Sequence, residues 1–183
     1  MKEGEMNKYL SVIPLIVLLC FVASCQDKAA MTELEEYKAQ AAIEEQNVTL
    51  VHQFFKALDA QDYSFKELLA PGAILHGTAP QEDVTADNSA QLLGPLYQAL
   101  PDLSHSVEDI FAKGDRVAAR VLIQATHKGI LMGIPPSGNK LRYYQFALFQ
   151  IGDGRIKEGW RVTDSLGMMQ QLGMELRPKA EKK

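Results

Sequence analysis

Residues 141–164 read Leu-Arg-Tyr-Tyr-Gln-Phe-Ala-Leu-Phe-Gln-Ile-Gly-Asp-Gly-Arg-Ile-Lys-Glu-Gly-Trp-Arg-Val-Thr-Asp. Leu141 to Ile151 and Arg155 to Thr163 are rich in β-branched and aromatic residues, a composition that predicts strands. The Asp153-Gly154 pair between them favours a tight turn, so the two form an antiparallel hairpin. Two similar runs precede it, Ser106 to Phe111 and Arg116 to Thr126, parted by Lys113-Gly114-Asp115. The expectation is four sequential antiparallel strands.

Upstream the period is helical. Val48, Val51, Phe54, Phe55 and Leu58 follow i, i+3, i+4, i+7 spacing and mark an amphipathic helix of about three turns. Ser64 to Leu69 reads as a short helix, with Ser64 and Glu67 at capping-box spacing and Pro71-Gly72 as its stop. Ala73 to His76 follows as a short strand. Leu92, Leu93, Leu96, Tyr97 and Leu100 place another helix from Asn88 or Ser89, bent at Gly94-Pro95 and ending before Pro101. Ser165 to Leu172 forms a final short helix, closed by Gly173. Helices followed by a meander give the α+β class: a curved antiparallel sheet packed against the helices as a cone with one open end.

The N-terminal region has a different character. The charge-free stretch from Tyr9 to Ser24 is shorter than the roughly 20 residues of a membrane span and is interrupted at Pro14, so it reads as the apolar core of a signal peptide. Lys2 and Lys8 precede it, and it ends in Val22-Ala23-Ser24-Cys25, which resembles the lipobox cut before a lipid-bearing cysteine. The start is Met1 or Met6, without effect on cleavage. The organisation expected is a lipoprotein signal at 1–24, a lipid-anchored polar tether at 25–45, one domain at 46–174 and a charged tail at 175–183. Lipid on Cys25 would hold the protein to the membrane of the cell envelope. Gln26-Asp27 after it leans toward the outer membrane in a Gram-negative cell.

Cleavage removes Cys20 and leaves Cys25 alone, so neither a disulfide nor a cysteine metal site is expected. A formal net charge of −4 argues against nucleic acid as a partner. Four scattered histidines lack i, i+3 or i, i+4 pairing, so no metal is expected, and no nucleotide loop or nucleophile motif is present.

Several words in the domain resemble the SnoaL-like family of the nuclear transport factor 2-like superfamily. They are Leu100-Pro101-Asp102-Leu103, Glu108 to Val117, Thr126-His127-Lys128-Gly129, Gly133-Ile134-Pro135-Pro136-Ser137-Gly138 and Asp153 to Trp160. The resemblance covers about residues 46–174. It implies the cone fold, a small-molecule pocket, no cofactor, frequent pairing into homodimers, and relatives that include polyketide cyclases, isomerases, dehydratases and hydrolases as well as members with no known chemistry. It also implies an acid/base Asp near the end of the last strand, for which Asp164 is the candidate. In place of the histidines that relatives carry, this chain has none in Leu141 to Ile151, and Gly159 in the last strand.

Strict alternation along the last strand puts Ile156, Glu158, Trp160, Val162 and Asp164 on the cone face. An apolar pocket would raise the Asp164 carboxyl toward a range useful for taking a proton next to a carbonyl; the competing role is N-cap of the helix that follows. His76 is expected at the pocket mouth, as proton shuttle or hydrogen-bond donor. Glu158 and Trp160 line the pocket or pack structurally, and Tyr143 and Gln145 offer hydrogen bonds to a polar substrate atom. His127 reads as structural, and His52 and His105 as solvent-facing. Three functions stay open. They are an acid/base enzyme using Asp164 on a small apolar or carbonyl-containing molecule, a binding module for such a molecule, and a dimerising interaction module with Arg120, Arg142, Gln150 and Arg161 near its exposed sheet face.

Overall fold

A computed structural model of the chain describes the backbone of residues 3–175 and 177, and side chains from residue 28 onward in that range, Pro80 excepted. The signal segment and Cys25 lie outside the described side chains, and most of the charged tail lies outside the described residues altogether. The chain divides into two compact units, 1–42 and 43–183. Helix α1 is Glu3–Ala60. Its residues 28–42 are exposed apart from Gln40, which suits their Glu, Lys, Gln and Ala composition. Among the described residues no helix is long and apolar enough to cross a membrane.

The second unit carries every strand. After α1 come β1 (Leu69–His76), α2 (Ser89–Ala99), β2 (Ser104–Lys113), β3 (Arg116–Thr126), β4 (Lys140–Gly152), β5 (Arg155–Thr163) and α3 (Ser165–Gln171). The sheet order is β1-β5-β4-β3-β2. The meander from β2 to β5 is antiparallel as expected, but β1 joins its free edge parallel to β5, so the sheet is mixed and five-stranded. Asp153 and Gly154 both take positive φ, 55° and 69°, which is the backbone that a two-residue hairpin turn needs.

The short helix expected at Ser64 is a 3-10 turn, Ser64–Leu68, and its capping box does not form. Asp62 Oδ1 accepts from the Ser64 N–H at 2.9 Å instead. Pro71-Gly72 lies inside β1, in the irregular stretch between Leu69 and Ile74, where a missing N–H costs no ladder bond. α2 accommodates Pro95 within its length.

The core forms where the apolar stripe of α1 meets the inward face of the sheet. Val51, Phe54, Phe55, Phe65, Val117, Val121, Phe149 and Ile156 are all almost fully buried. The Phe54 ring meets Phe149 edge-on at 5.4 Å and Phe65 at 5.9 Å, geometries that add to the area term. Two of the sequence words are joined here: Asp102 accepts from the N–H and hydroxyl of Thr126, at 2.7 and 2.6 Å. Lys128 N and Gly129 N both donate to Ala99 O, so the loop after β3 is held against the end of α2.

A Cβ on Gly129 would stand 2.7 Å from Gln98 O and 2.9 Å from Ala99 Cα, both backbone atoms that cannot swing aside. Gly129→Ala is therefore expected to lower unfolding stability by about 1–3 kcal/mol, the usual cost of overpacking. A thermal melt unchanged from the parent protein would show that this contact is not tight.

Candidate functional site

The register of β5 decides which of its side chains meet the cavity. Ile156 pairs with Ile151, whereas Glu158 pairs with Gln150, leaving Lys157 as one extra residue on β5. Such a bulge reverses the alternation beyond it. Gly159, Arg161 and Thr163 therefore sit opposite Phe149, Ala147 and Gln145 on the inward face, while Glu158, Trp160 and Val162 sit opposite Gln150, Leu148 and Phe146 on the outer one. Gly159 is needed inside: a Cβ there would lie 2.9 Å from Leu75 and 3.2 Å from Phe149. Strict alternation, which predicted the opposite assignment, holds only up to Ile156.

The inward face and the helices enclose a cavity of about 430 Å³, in the range of small-molecule sites. Most of its wall is apolar, from Phe54, Phe55, Leu75, Leu93, Ile123 and Phe149. Polar groups enter from Tyr97, His105, Tyr143, Gln145, Arg161 and Thr163. Burial pushes the hydroxyls of Tyr143 and Tyr97 up to about 12, so both are neutral donors. The Tyr97 hydroxyl is buried without a hydrogen-bond partner, a state that costs about 1–3 kcal/mol. Burial also pulls the Arg161 guanidinium below its ordinary value, opposed by Glu82, whose carboxylate is 4.0 Å away, and by Asp83. Thr163 Oγ1 donates to Gln145 Oε1 at 3.4 Å.

The expected site residues divide accordingly. Tyr143 and Gln145 face the cavity. Asp164 does not: it is exposed and caps α3, its Oδ1 accepting from Gly167 N at 2.8 Å, because α3 begins one residue later and its first N–H groups need an acceptor. His76 lies at the cavity rim with both nitrogens engaged, Nδ1 to Asp83 Oδ2 at 2.9 Å and Nε2 to Glu158 Oε1 at 2.8 Å. These two carboxylates, Glu158 first, raise the His76 pKa, and with both ring nitrogens engaged neither is left to shuttle a proton. Glu158 is thus a partner of His76; Trp160, which with His76 is among the residues lining the cavity, stacks on the His76 ring at 5.7 Å with the Arg116 guanidinium 5.3 Å from the indole.

Four of these polar cavity residues escaped the sequence reading, Thr163 by the same bulge as Arg161. Arg161 was placed near the exposed face, because the bulge is invisible to alternation. Tyr97 was read only as a core position of α2. His105, expected to face solvent, has a side chain only 8% exposed, on the inward row with Ile123 and Tyr143. Its signal was its even spacing from Val107, a strand-face neighbour. His52 is exposed and His127 fully buried, as expected; Ser137 N donates to His127 Nδ1 at 3.2 Å. Among the described residues no group of three or more His, Cys, Asp or Glu could hold a metal ion.

Comparison with known proteins matches this architecture. A family model described as SnoaL-like polyketide cyclase matches residues 48–172. The nogalonic acid methyl ester cyclase of Streptomyces nogalater is 29% identical over 118 residues, 63% of this chain and 84% of that protein. The aklanonic acid methyl ester cyclase DauD of Streptomyces sp. (strain C5) is 29% identical over 119 residues, 64% of this chain and 72% of that protein. Among solved structures, wild-type IdmH from Streptomyces antibioticus is 28% identical with a TM-score of 0.63, covering 70% of this chain and 99% of that one. The family model's match over residues 48–172, most of the unit that holds the sheet and the cavity, leads to one assignment: the chain belongs to the SnoaL-like polyketide cyclase family.

Proposed function

We propose that this chain is an envelope-tethered member of the family whose cavity takes a small, largely apolar molecule bearing a carboxylate or carbonyl oxygen, with cofactor-free proton-transfer chemistry of the cyclase or isomerase type. The observation that carries the reading is Arg161, a cation on the inward face of an apolar cavity beside Tyr143, Gln145 and Thr163. In such surroundings a charge-assisted hydrogen bond to an oxyanion is worth roughly twice a neutral one. The methyl ester cyclases among the relatives support a carbonyl-bearing ligand.

A second reading, binding without chemistry, is favoured by one observation. The inward residues of β4 and β5, from Leu141 to Ile151 and from Ile156 to Thr163, include no carboxylate, and Asp164 is turned to its helix cap. The two readings share the ligand and differ in whether turnover follows.

The tether is proposed on the lipobox-like Ala23-Ser24-Cys25 after an apolar run, which supports a domain held at the membrane face of the envelope. Self-association is supported by the outer sheet face, where Phe111, Phe146 and Val162 are 69%, 60% and 64% exposed around Leu148. Arg120 and Gln150 share that face, giving it a polar rim, whereas Arg161 faces the cavity. A contiguous apolar patch ringed by polar groups is the usual signature of a protein contact.

Arg161→Met is expected to weaken binding of 1-naphthoate by about tenfold or more, and of its methyl ester by far less, since a hydrogen bond to a charged group contributes about 1.5–3 kcal/mol. Calorimetry showing equal losses for both would sink the anion-anchor reading. Cys25→Ser should abolish incorporation of labelled palmitate in cells; undiminished label would refute lipidation there. Phe146→Glu should reduce the sedimentation coefficient of the lipid-free domain to that of a monomer, and a parent domain already monomeric at high concentration would dismiss the dimer.

A further inference from the structure

At the end of α1, Asp59 holds His105 by two contacts. Its Oδ1 accepts from the ring Nδ1 at 2.6 Å and its Oδ2 from the His105 backbone N–H at 3.2 Å. The ring is packed 5.4 Å from Phe55 and forms part of the cavity wall. A carboxylate on Nδ1 fixes the tautomer with the proton on that nitrogen, which leaves the lone pair of the neutral ring on Nε2. No hydrogen bond engages Nε2 among the described residues. Nε2 is not among the buried side-chain atoms that lack a partner, so on this ring, which lines the cavity, the idle nitrogen stays accessible rather than sealed in packing.

We infer that His105 is the general base of the cavity and Asp59 its positioning residue, acting on a carbon acid next to a carbonyl. In the step, Nε2 takes the proton from carbon, and the C–H electron pair passes into the carbonyl as an enolate whose oxygen carries the charge. The enolate then closes on a second carbonyl carbon, whose oxygen takes the electron pair and the proton from Nε2, or it is reprotonated by Nε2 at another carbon; in both cases the ring returns to neutral. This rests on the reading of the cavity as a small-molecule site, and it moves the acid/base role from Asp164 at the end of β5 to β2 at the edge of the sheet.

The natural substrate is not needed for the test. 5-Nitrobenzisoxazole is a small apolar probe from which a base removes the C–H proton while the N–O bond breaks, giving a nitrile and a coloured phenolate. Wild-type protein is expected to turn it over faster than free imidazole at equal concentration. His105→Ala should lose about 100-fold, in the usual range for a positioned base, with the probe still bound and the fold intact by circular dichroism. Added imidazole should restore part of that rate in His105→Ala and none in the wild type, which a purely structural histidine would not show. Asp59→Asn should lower kcat with KM unchanged, since it frees the ring to adopt the wrong tautomer, and Asp59→Glu should recover part of the loss. Bound probe with equal turnover in wild type and a folded His105→Ala overturns the inference and leaves the binding reading standing. Absence of probe binding to the wild type overturns both.

Discussion

Lys157 has no partner across the hairpin. On one side of it Ile156 faces Ile151, and on the other Glu158 faces Gln150, so β5 carries one residue more than β4 over the same length. Every later side chain of β5 is thereby exchanged between the two faces. Gly159 comes inside, where it leaves room for Leu75 and Phe149, and Arg161 follows it into the cavity. Glu158 and Trp160 go outside, where they meet His76. The cationic interior and the His76 cluster on the edge of the sheet are two results of one inserted residue.

The cavity's electrostatics follow from that exchange. Arg161 stands in a wall that is otherwise mostly apolar, with Glu82 at 4.0 Å as its ion-pair contact. Low local dielectric strengthens whatever polar contact a ligand makes there, and makes a buried unpaired donor such as the Tyr97 hydroxyl costly. At the opposite edge of the sheet, on the same inward face, the Asp59–His105 pair joins the end of α1 to the start of β2. The polar groups therefore come from several different elements, with the apolar body of the cavity between them, an arrangement suited to an amphipathic molecule.

The outer face has a separate logic. Phe111, Phe146, Leu148 and Val162 occupy adjacent strands and remain exposed, while the His76–Glu158–Asp83 pairs fasten β1 and the loop after it to the sheet edge. β1 is the one parallel strand, and its ladder is irregular between Leu69 and Ile74, so side-chain hydrogen bonds support an edge that backbone bonds hold only in part. Cavity and outer face are thus served by alternate residues of the same strands, which lets one hairpin shape both.

By itself the sequence determined the helices from their apolar spacing, the four meander strands from β-branched and aromatic runs, and the hairpin from Asp153-Gly154, because each of these is a local preference of the chain. It also carried the words that mark the family, and the inward placement of Tyr143 and Gln145, which lie in a strand whose alternation is unbroken. Tertiary structure alone decided the face of Glu158, Trp160 and Arg161, since a bulge is a property of two strands in register and leaves no mark in the periodicity of one. It decided that Asp164 caps α3, a choice between two chemically reasonable roles that depends on where the helix begins. And it decided His105, whose partner Asp59 lies 46 residues away: a carboxylate and an imidazole so far apart in the chain become a pair only when helix and sheet pack together.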